Sequence, residues 1–180
     1  MAEVRLQTPL SEADVRQLKL EDTVYIDGHI YGIRDATQIR IFDEGVAPPT
    51  DLTGAVCIHT APGVKKLPNG KYEKVCIGTT TSTRMNRFYP GLIKQYGVRA
   101  MVGKGGFLQD TVDAMKEHGG VYLAIVGGAA ALETMQIFSY LPFGSFFTPG
   151  AVWRQTAPVR SVGGGTPSSK IRICVASRMP

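Results

Sequence analysis

Strand-like runs, glycine-containing loops and helical patterns follow one another in the middle of the chain, and this order constrains the fold more than any other feature. Apolar runs typical of buried strands lie at residues 55–59, 74–77, 100–102 and 121–126. Helical patterns follow at residues 89–95 and 111–118. An order of strand, glycine-containing loop and helix repeated three times predicts an α/β fold with a mostly parallel core.

The N-terminal portion is β-rich and also carries signals for two helices. Ser11 can cap the free amides of a first helical turn, and acidic residues follow at positions 12 and 14. The apolar side of that helix would consist of Val15, Leu18 and Leu20. A second helix is predicted over residues 35–42, because three apolar side chains are spaced for one face: Ala36, Ile39 and Phe42.

The dipeptide Asp27-Gly28 gives the strongest turn signal in the chain. Residues 23–26 read as a strand before it and residues 29–31 as a strand after it. Asp-Gly is typical of tight hairpin turns, because such turns require positive φ angles. The sequence therefore predicts a β-hairpin here, and it predicts a loop at residues 63–70, which are rich in turn residues.

Composition bounds the class of protein. A chain of 180 residues is long enough for one domain with its own core. A composition of 43% hydrophobic and 19% charged residues excludes a disordered chain or a coiled coil. The longest apolar run, residues 121–132, is shorter than the roughly 18 residues of a membrane helix. The net charge of +5 is dispersed, so neither a nucleic acid nor a membrane is an expected partner. We expect a main domain at residues 1–153 and a glycine-, serine- and proline-containing tail at residues 154–180, with a last strand near residues 170–175.

The cysteines and histidines show no metal-ligand spacing. The cysteines lie in strand-like runs and are interpreted as small buried apolar groups: Cys57, Cys76 and Cys174. The histidines are interpreted as solvated or hydrogen-bonded side chains: His29, His59 and His118. Three cysteines without CxxC spacing indicate a reducing compartment, and the N-terminus lacks a targeting pattern. A cytoplasmic location is therefore expected.

Three loops lie where an open α/β sheet binds ligands, beyond the carboxyl ends of its strands. Residues 78–85, GTTTSTRM, place hydroxyl groups beside Arg84, which could bind carboxylate or phosphate oxygens, although a capped turn with a surface arginine fits equally well. Residues 103–106 set Lys104 among three glycines, and a tight turn with a solvated lysine is at least as common. The third loop, Gly127-Gly128, is more typical of close helix–strand packing.

A fourth candidate is Arg34-Asp35 at the entrance of the second predicted helix. On its own, this pair is better explained as an arginine held by the helix N-terminal aspartate. No Ser-His-Asp order, carboxylate pair or metal triad follows from the spacing of the residues. The residues alone predict an α/β domain that binds a small anion.

Residues 78–85 resemble the GPTTSxRM signature of the beta subunit, or C-terminal domain, of the iron–sulfur hydro-lyases: class I fumarases and L(+)-tartrate dehydratases. Further stretches match in order at residues 32–36, 103–105 and 121–132. The resemblance covers roughly residues 6–132 and resumes at residues 151–153. It implies a swivelling β/β/α domain, which agrees with a β-rich start and an α/β core.

The resemblance also implies a reaction and a set of site residues. The reaction is reversible addition or removal of water on a C4 dicarboxylate, either fumarate/malate or tartrate/oxaloacetate. By motif position, the implied substrate-binding residues are Arg34, Thr81, Arg84 and Lys104. Thr80 matches a threonine implicated in proton transfer. Such cations suit a dicarboxylate, because each end of the molecule needs a charged anchor.

The implied cofactor is a four-iron four-sulfur cluster on a partner alpha subunit, in an α2β2 hetero-oligomer. The three cysteines of this chain do not match the cluster ligands. Thr79 stands where the motif has proline, Gln38 stands where it has histidine, and the tail after Trp153 departs from the family pattern. The alternative function is a stand-alone dicarboxylate- or anion-binding module without catalytic activity.

Overall fold

The computed structural model describes residues 2–48, 50–70, 72–125, 152–154 and 174–175. The strands are β1 (Glu3–Gln7), β2 (Thr23–Asp27), β3 (His29–Ile33), β4 (Val56–Lys66), β5 (Tyr72–Thr79), β6 (Ala100–Gly103), β7 (Val121–Ala124), β8 (Val152–Arg154) and β9 (Cys174–Val175). The helices are α1 (Glu12–Arg16), α2 (Asp35–Phe42), α3 (Tyr89–Tyr96) and α4 (Gln109–His118), with a 3₁₀ helix (Ser82–Phe88) directly before α3. The predicted Gly127-Gly128 loop and most of the predicted tail lie outside the described residues.

The described strands form one sheet in the order β1-β2-β9-β7-β6-β4-β3-β8, and β5 pairs with β4 off this path. Four pairs are parallel, namely β1 with β2, β3 with β4, β4 with β6, and β6 with β7. The later strands β8 and β9 join antiparallel. This arrangement confirms the predicted α/β class with mostly parallel core strands.

The predicted hairpin at Asp27-Gly28 is wrong. In the described part of the chain, β2 pairs with β1 and β9, whereas β3 pairs with β4 and β8. Gly28, at φ 105°, bends the chain, and Thr8 flanks the bend: its amide donates to the Asp27 carbonyl (2.9 Å) and its hydroxyl accepts from the His29 amide (2.7 Å). In the sheet order β2 is the second strand and β3 is the seventh, yet only Gly28 separates them in the chain. The sheet therefore curves back on itself.

Side chains of the central strands alternate between two cores. One face of β4 and β6 supplies Val56, Ile58, Ala100 and Val102 to a cluster with the strands β1 and β2 and helix α1. The opposite face supplies Cys57 and Met101 to a second cluster, which α3 covers with Tyr89 and Leu92. Successive side chains of a strand point to opposite faces of the sheet. Because both sets are buried here, other elements must cover β4 and β6 on both sides.

Both predicted N-terminal helices are present, but their buried faces differ from the prediction. Helix α1 ends at Arg16, so Val15 is buried while Leu20 is 47% exposed. Helix α2 has the predicted bounds, yet it buries Gln38 and Ile41 and leaves Ile39 37% exposed. The helix docks with its polar Gln38 inward, which hydrophobic spacing does not anticipate.

The predicted loop at residues 63–70 is strand in its first half, residues 63–66, and a turn in its second half, residues 67–70. Strand β4 continues to Lys66 and pairs antiparallel with β5, with a register shift between Gly63 and Val64. At Gly63 a side chain would lie 2.9 Å from the Cys76 sulfur, so the close strand approach requires glycine. The returning strand β5 brings the threonine run beside Thr60, near the middle of β4. None of the helices among the described residues is long and apolar enough to cross a membrane.

Candidate functional site

The loops that follow β3, β5 and β6 meet at one edge of the sheet. The Thr80 amide donates to the carbonyl of His59 on β4 (3.2 Å), and the Ser82 amide donates to the Lys104 carbonyl (2.8 Å). Thr81 and Lys104 form an isolated parallel bridge. The threonine run and the glycine-flanked lysine, distant in sequence, therefore lie side by side.

Arg84 links the threonine run to helix α2. Its Nη2 donates to Asp35 Oδ2 at 2.6 Å, and its Nη1 donates to Thr80 Oγ1 at 3.4 Å. The side chain is 62% exposed. Arg34, the N-cap residue of α2, directly precedes Asp35. Asp35 thus accepts a hydrogen bond from Arg84, which the interpretation of Arg34-Asp35 as a self-contained pair did not predict.

The loop around Lys104 is held in shape by Thr83 and by glycine. The Thr83 hydroxyl lies within hydrogen-bond distance of the Gly105 carbonyl (2.9 Å) and the Gly106 carbonyl (3.0 Å). Gly105 and Gly106 have φ angles of 79° and 68°. A side chain on Gly105 would lie 2.8 Å from the Thr81 methyl group, so this loop requires glycine. Lys104 itself is exposed.

Contacts therefore connect four of the predicted site residues, Thr80, Thr81, Arg84 and Lys104, and Asp35 brings Arg34 next to them in the chain. The edge presents the cations Arg84 and Lys104 and several hydroxyl groups, and Asp35 supplies a carboxylate. An excess of positive charge with a planar guanidinium can bind a small molecule that carries carboxylates.

Sequence reasoning missed three buried polar side chains directly beneath this edge. His59 Nδ1 lies 2.8 Å from Ser82 Oγ, which lies 3.3 Å from the Tyr122 hydroxyl. Burial lowers the pKa of His59 to about 3, although the negative charge of Asp35 acts in the opposite direction. Burial also raises the pKa of Tyr122. The available signal was positional, because His59 is the polar residue that ends the apolar run at residues 55–59.

The described cysteines do not fit a cluster site. Cys57 is buried in the second core, and burial raises the pKa of its thiol to about 12. Cys76 is exposed on β5, which corrects the prediction that it is buried. Among the described residues, no group of three or more His, Cys, Asp or Glu side chains could hold a metal ion.

Comparison with known proteins shows the family of this chain. The family described as Fumarase C-terminus matches residues 1–143. The chain belongs to this family. A protein of Geobacillus stearothermophilus named as a class I fumarate hydratase is 40% identical over 155 residues, which are 83% of this chain and 29% of the relative.

Two further relatives carry the name L(+)-tartrate dehydratase subunit beta. The protein of Methanocaldococcus jannaschii is 39% identical over 126 residues, which are 68% of this chain and 64% of the relative. The protein of Escherichia coli K12 is 33% identical over 133 residues, or 73% of this chain and 65% of the relative. The matched part of this chain thus spans less than two thirds of each of these relatives.

Two of the three departures from the motif pattern, Gln38 and Thr79, are buried. Gln38 is fully buried, and its amide nitrogen contacts the Met85 sulfur at 2.8 Å. The buried Thr79 hydroxyl has no hydrogen-bond partner in the described structure. Neither residue takes part in the side-chain contacts that link Arg84 to Asp35 and Thr80.

Proposed function

We propose that this chain is the beta-type part of a hydro-lyase that adds or removes water on a C4 dicarboxylate, fumarate/malate or tartrate/oxaloacetate. The observation that carries the proposal is the meeting of Arg84, Thr80, Thr81 and Lys104 at one edge of the sheet. Family membership and the names of the relatives support the reaction class.

In this proposal different cations bind different parts of a substrate that carries two negative charges. Arg84 offers a planar fork to one carboxylate, and Asp35 fixes that fork by binding one of its nitrogens. Lys104 and Arg34 supply positive charge for the rest of the substrate. Loss of a proton next to a carboxylate develops further negative charge, which fixed cations stabilise more strongly than they stabilise the ground state.

Thr80 is proposed to take part in proton transfer. Its hydroxyl oxygen lies 3.4 Å from Arg84 Nη1, so a positive charge stands beside the oxygen that would release or accept the proton. A neighbouring cation favours the deprotonated form of a hydroxyl group. Thr81, bridged to Lys104, is proposed to contact the substrate through its own hydroxyl.

The site is proposed to be completed by an alpha-type partner that carries a four-iron four-sulfur cluster, in an α2β2 assembly. The exposure of Arg84 and Lys104 supports this, since both remain accessible to a second surface. Of the described cysteines, Cys57 is buried in a core and Cys76 is exposed on β5, and we propose that the cluster lies on the partner. The swivelling β/β/α description and a cytoplasmic location belong to the same proposal.

The test pairs the full chain with an alpha-type partner, iron and sulfide, and measures hydration and dehydration of fumarate, malate and tartrate separately. Arg84→Ala should lower kcat/KM by roughly 100-fold or more, because a charged anchor is lost. Arg87→Ala is the matched control: Arg87 lies in the same 3₁₀ helix, is also 62% exposed, and pairs with Asp43 at 2.6 Å. Its kcat/KM should stay within about two-fold.

Absence of activity on every C4 acid by a cluster-loaded complex would refute the proposal. If Arg84→Ala and Arg87→Ala lowered kcat/KM equally, Arg84 would have no specific role in substrate binding. Dicarboxylate binding by the chain alone, with no stable complex with an alpha-type protein, would instead support the stand-alone anion-binding module.

A further inference from the structure

Three buried polar side chains from three separate segments form a line beneath the candidate site. His59 lies within β4, Ser82 begins the 3₁₀ helix, and Tyr122 lies on β7. His59 and Ser82 are 0% exposed and Tyr122 is 5% exposed. Polar groups buried to this extent are costly unless they are hydrogen-bonded, so their pairing has structural consequences.

The number of protons on these groups indicates which group donates in each hydrogen bond of the line. The Gly106 amide donates to Tyr122 Oη at 3.3 Å, so the phenol already accepts one hydrogen bond. If the phenol then donates to Ser82 and Ser82 donates to His59 Nδ1, each hydroxyl group donates once and accepts once. The His59 proton then resides on Nε2, which has no hydrogen-bond partner among the described residues.

The opposite direction satisfies fewer groups. His59 Nδ1 would donate to Ser82, and Ser82 would donate to the phenol. The phenol proton would then have no acceptor in the described structure, and His59 Nε2 would be an unpaired acceptor instead of an unpaired donor. Each buried polar group without a partner costs free energy, so the direction from Tyr122 to His59 is favoured.

Tyr122 and Ser82 of this line contact the loops of the site. Gly106 belongs to the Lys104 loop, and the backbone of Ser82 donates to the Lys104 carbonyl at 2.8 Å. Ser82 also separates Thr81 from Thr83, which contacts the carbonyls of Gly105 and Gly106. A change in the line would therefore move Lys104 relative to Thr80 and Thr81.

We propose that Tyr122, Ser82 and His59 are positioning residues, which act as a directed hydrogen-bond chain that fixes the Lys104 loop against the threonine run. None of the three is proposed to touch substrate. The consequence for substrate affinity rests on the proposed function, whereas the consequence for loop geometry does not. The two are tested separately.

The first experiment uses the full chain alone and nitrogen-15 NMR. His59 should be protonated at Nε2 and bare at Nδ1, and Ser82→Ala should convert it to a mixture of tautomers. Tyr122→Phe should speed hydrogen exchange of the Gly106 amide by about ten-fold, since a lost bond worth about 1.4 kcal/mol gives that factor. The Gly97 amide, which donates to Ile93 at the end of α3, is the internal control and should not change.

A matched pair of variants tests His59 itself. His59→Asn places an acceptor near the position of Nδ1, whereas His59→Gln places its polar group near the position of Nε2. The proposal predicts that His59→Asn keeps slow Gly106 exchange and His59→Gln does not. Protonation of wild-type His59 at Nδ1, or unchanged Gly106 exchange in folded Tyr122→Phe, would overturn the proposal.

The second experiment uses the active complex with its partner. Tyr122→Phe should raise KM for the dicarboxylate at least about five-fold and change kcat by less than about two-fold, because Lys104 is displaced rather than lost. Unchanged KM in both Tyr122→Phe and Ser82→Ala would overturn the positioning role. If the wild-type complex shows no hydro-lyase activity, the proposed function fails, and the NMR experiment still decides on the hydrogen-bond chain.

Discussion

Arg84 connects the two sides of the candidate site at the scale of single residues. It pairs with Asp35 of α2 and contacts Thr80, so its orientation depends on both elements. In this pair Arg84 is 62% exposed and Asp35 is 31% exposed, and ion pairs open to solvent contribute little to stability, generally below about 1 kcal/mol. The pair instead positions the Arg84 guanidinium beside the hydroxyl groups of the threonine run.

His59 should make stability depend on pH. Burial lowers the pKa of the folded-state imidazole to about 3 from 6.5. Between these values the unfolded state binds a proton that the folded state does not, so stability falls as pH drops below about 6.5. From pH 7.5 to pH 5 the free energy of unfolding should fall by about 2 kcal/mol from this residue. Denaturant titration measures the loss, which His59→Asn should abolish; an equal loss in that variant would contradict the assignment.

Gly103 should not tolerate a side chain. A methyl group there would overlap the Ser82 hydroxyl and approach His59 Nδ1 to 3.4 Å. Gly103→Ala should therefore destabilise the fold by roughly 1–3 kcal/mol, as overpacking does, and should disturb the Lys104 loop. Gly78→Ala is the control, because nothing lies within 4 Å of its added carbon. Thermal unfolding compares the two, and similar losses would argue against a steric cause.

At the scale of elements, local capping fixes where α1 begins. Ser11 Oγ accepts from the Asp14 amide at 3.2 Å, and the Ser11 amide donates to Asp14 Oδ2 at 2.8 Å. This capping box satisfies two amides that the helix leaves unpaired. It orients a helix of only five residues so that Val15 reaches the first core.

Ser11→Ala should lower the free energy of unfolding by about 1 kcal/mol, since the side-chain acceptor is lost. Ser11→Thr retains a hydroxyl group and should cost much less. Urea unfolding of the two variants measures the difference. Equal destabilisation by both substitutions would mean that the cap does not depend on the hydroxyl oxygen.

The β4–β5 hairpin has a different origin from the incorrectly predicted hairpin at Asp27-Gly28. Strand β5 returns directly beside β4 and ends at Thr79, next to Thr60. By contrast, the two strands that flank Asp27-Gly28 do not pair with each other: β2 pairs with β1, and β3 pairs with β4. A turn dipeptide specifies a local bend, but strand pairing depends on which surfaces become buried.

At the scale of the whole molecule, the same strands carry both cores. Val56 faces the first cluster and Cys57 the second, on consecutive positions of β4. Loss of either core would expose one face of this shared sheet. The candidate site lies at the end of these strands, so its geometry depends on both cores.

The two cores should therefore unfold together. Leu123→Ala in the first cluster and Leu92→Ala in the second should each cost about 2–5 kcal/mol, because both side chains are fully buried. Each variant should show one transition with the same midpoint by far-UV and near-UV circular dichroism. Two separated transitions in either variant would contradict this coupling.

Particular residues show where sequence reasoning succeeds. The bounds of α2 at Asp35–Phe42 and the cap at Ser11 follow from local signals, because caps and helix periodicity act within a few residues. The buried face of α2 does not follow, because Gln38 turns inward to meet Met85, which is 47 residues away. His59 likewise gains its role only from contact with Ser82 and Tyr122.

The sequence alone was enough to predict the α/β class, most of the described strands and helices, and the family, and it singled out Arg34, Arg84 and Lys104 as cations of a predicted anion site. These follow from periodicity, glycine placement and motif residues along the chain. Only the tertiary structure decided which strands pair, that Asp35 binds Arg84, and that His59, Ser82 and Tyr122 lie beneath Lys104. The physical reason is that such contacts join residues far apart in sequence, whose approach is selected by burial of the whole sheet.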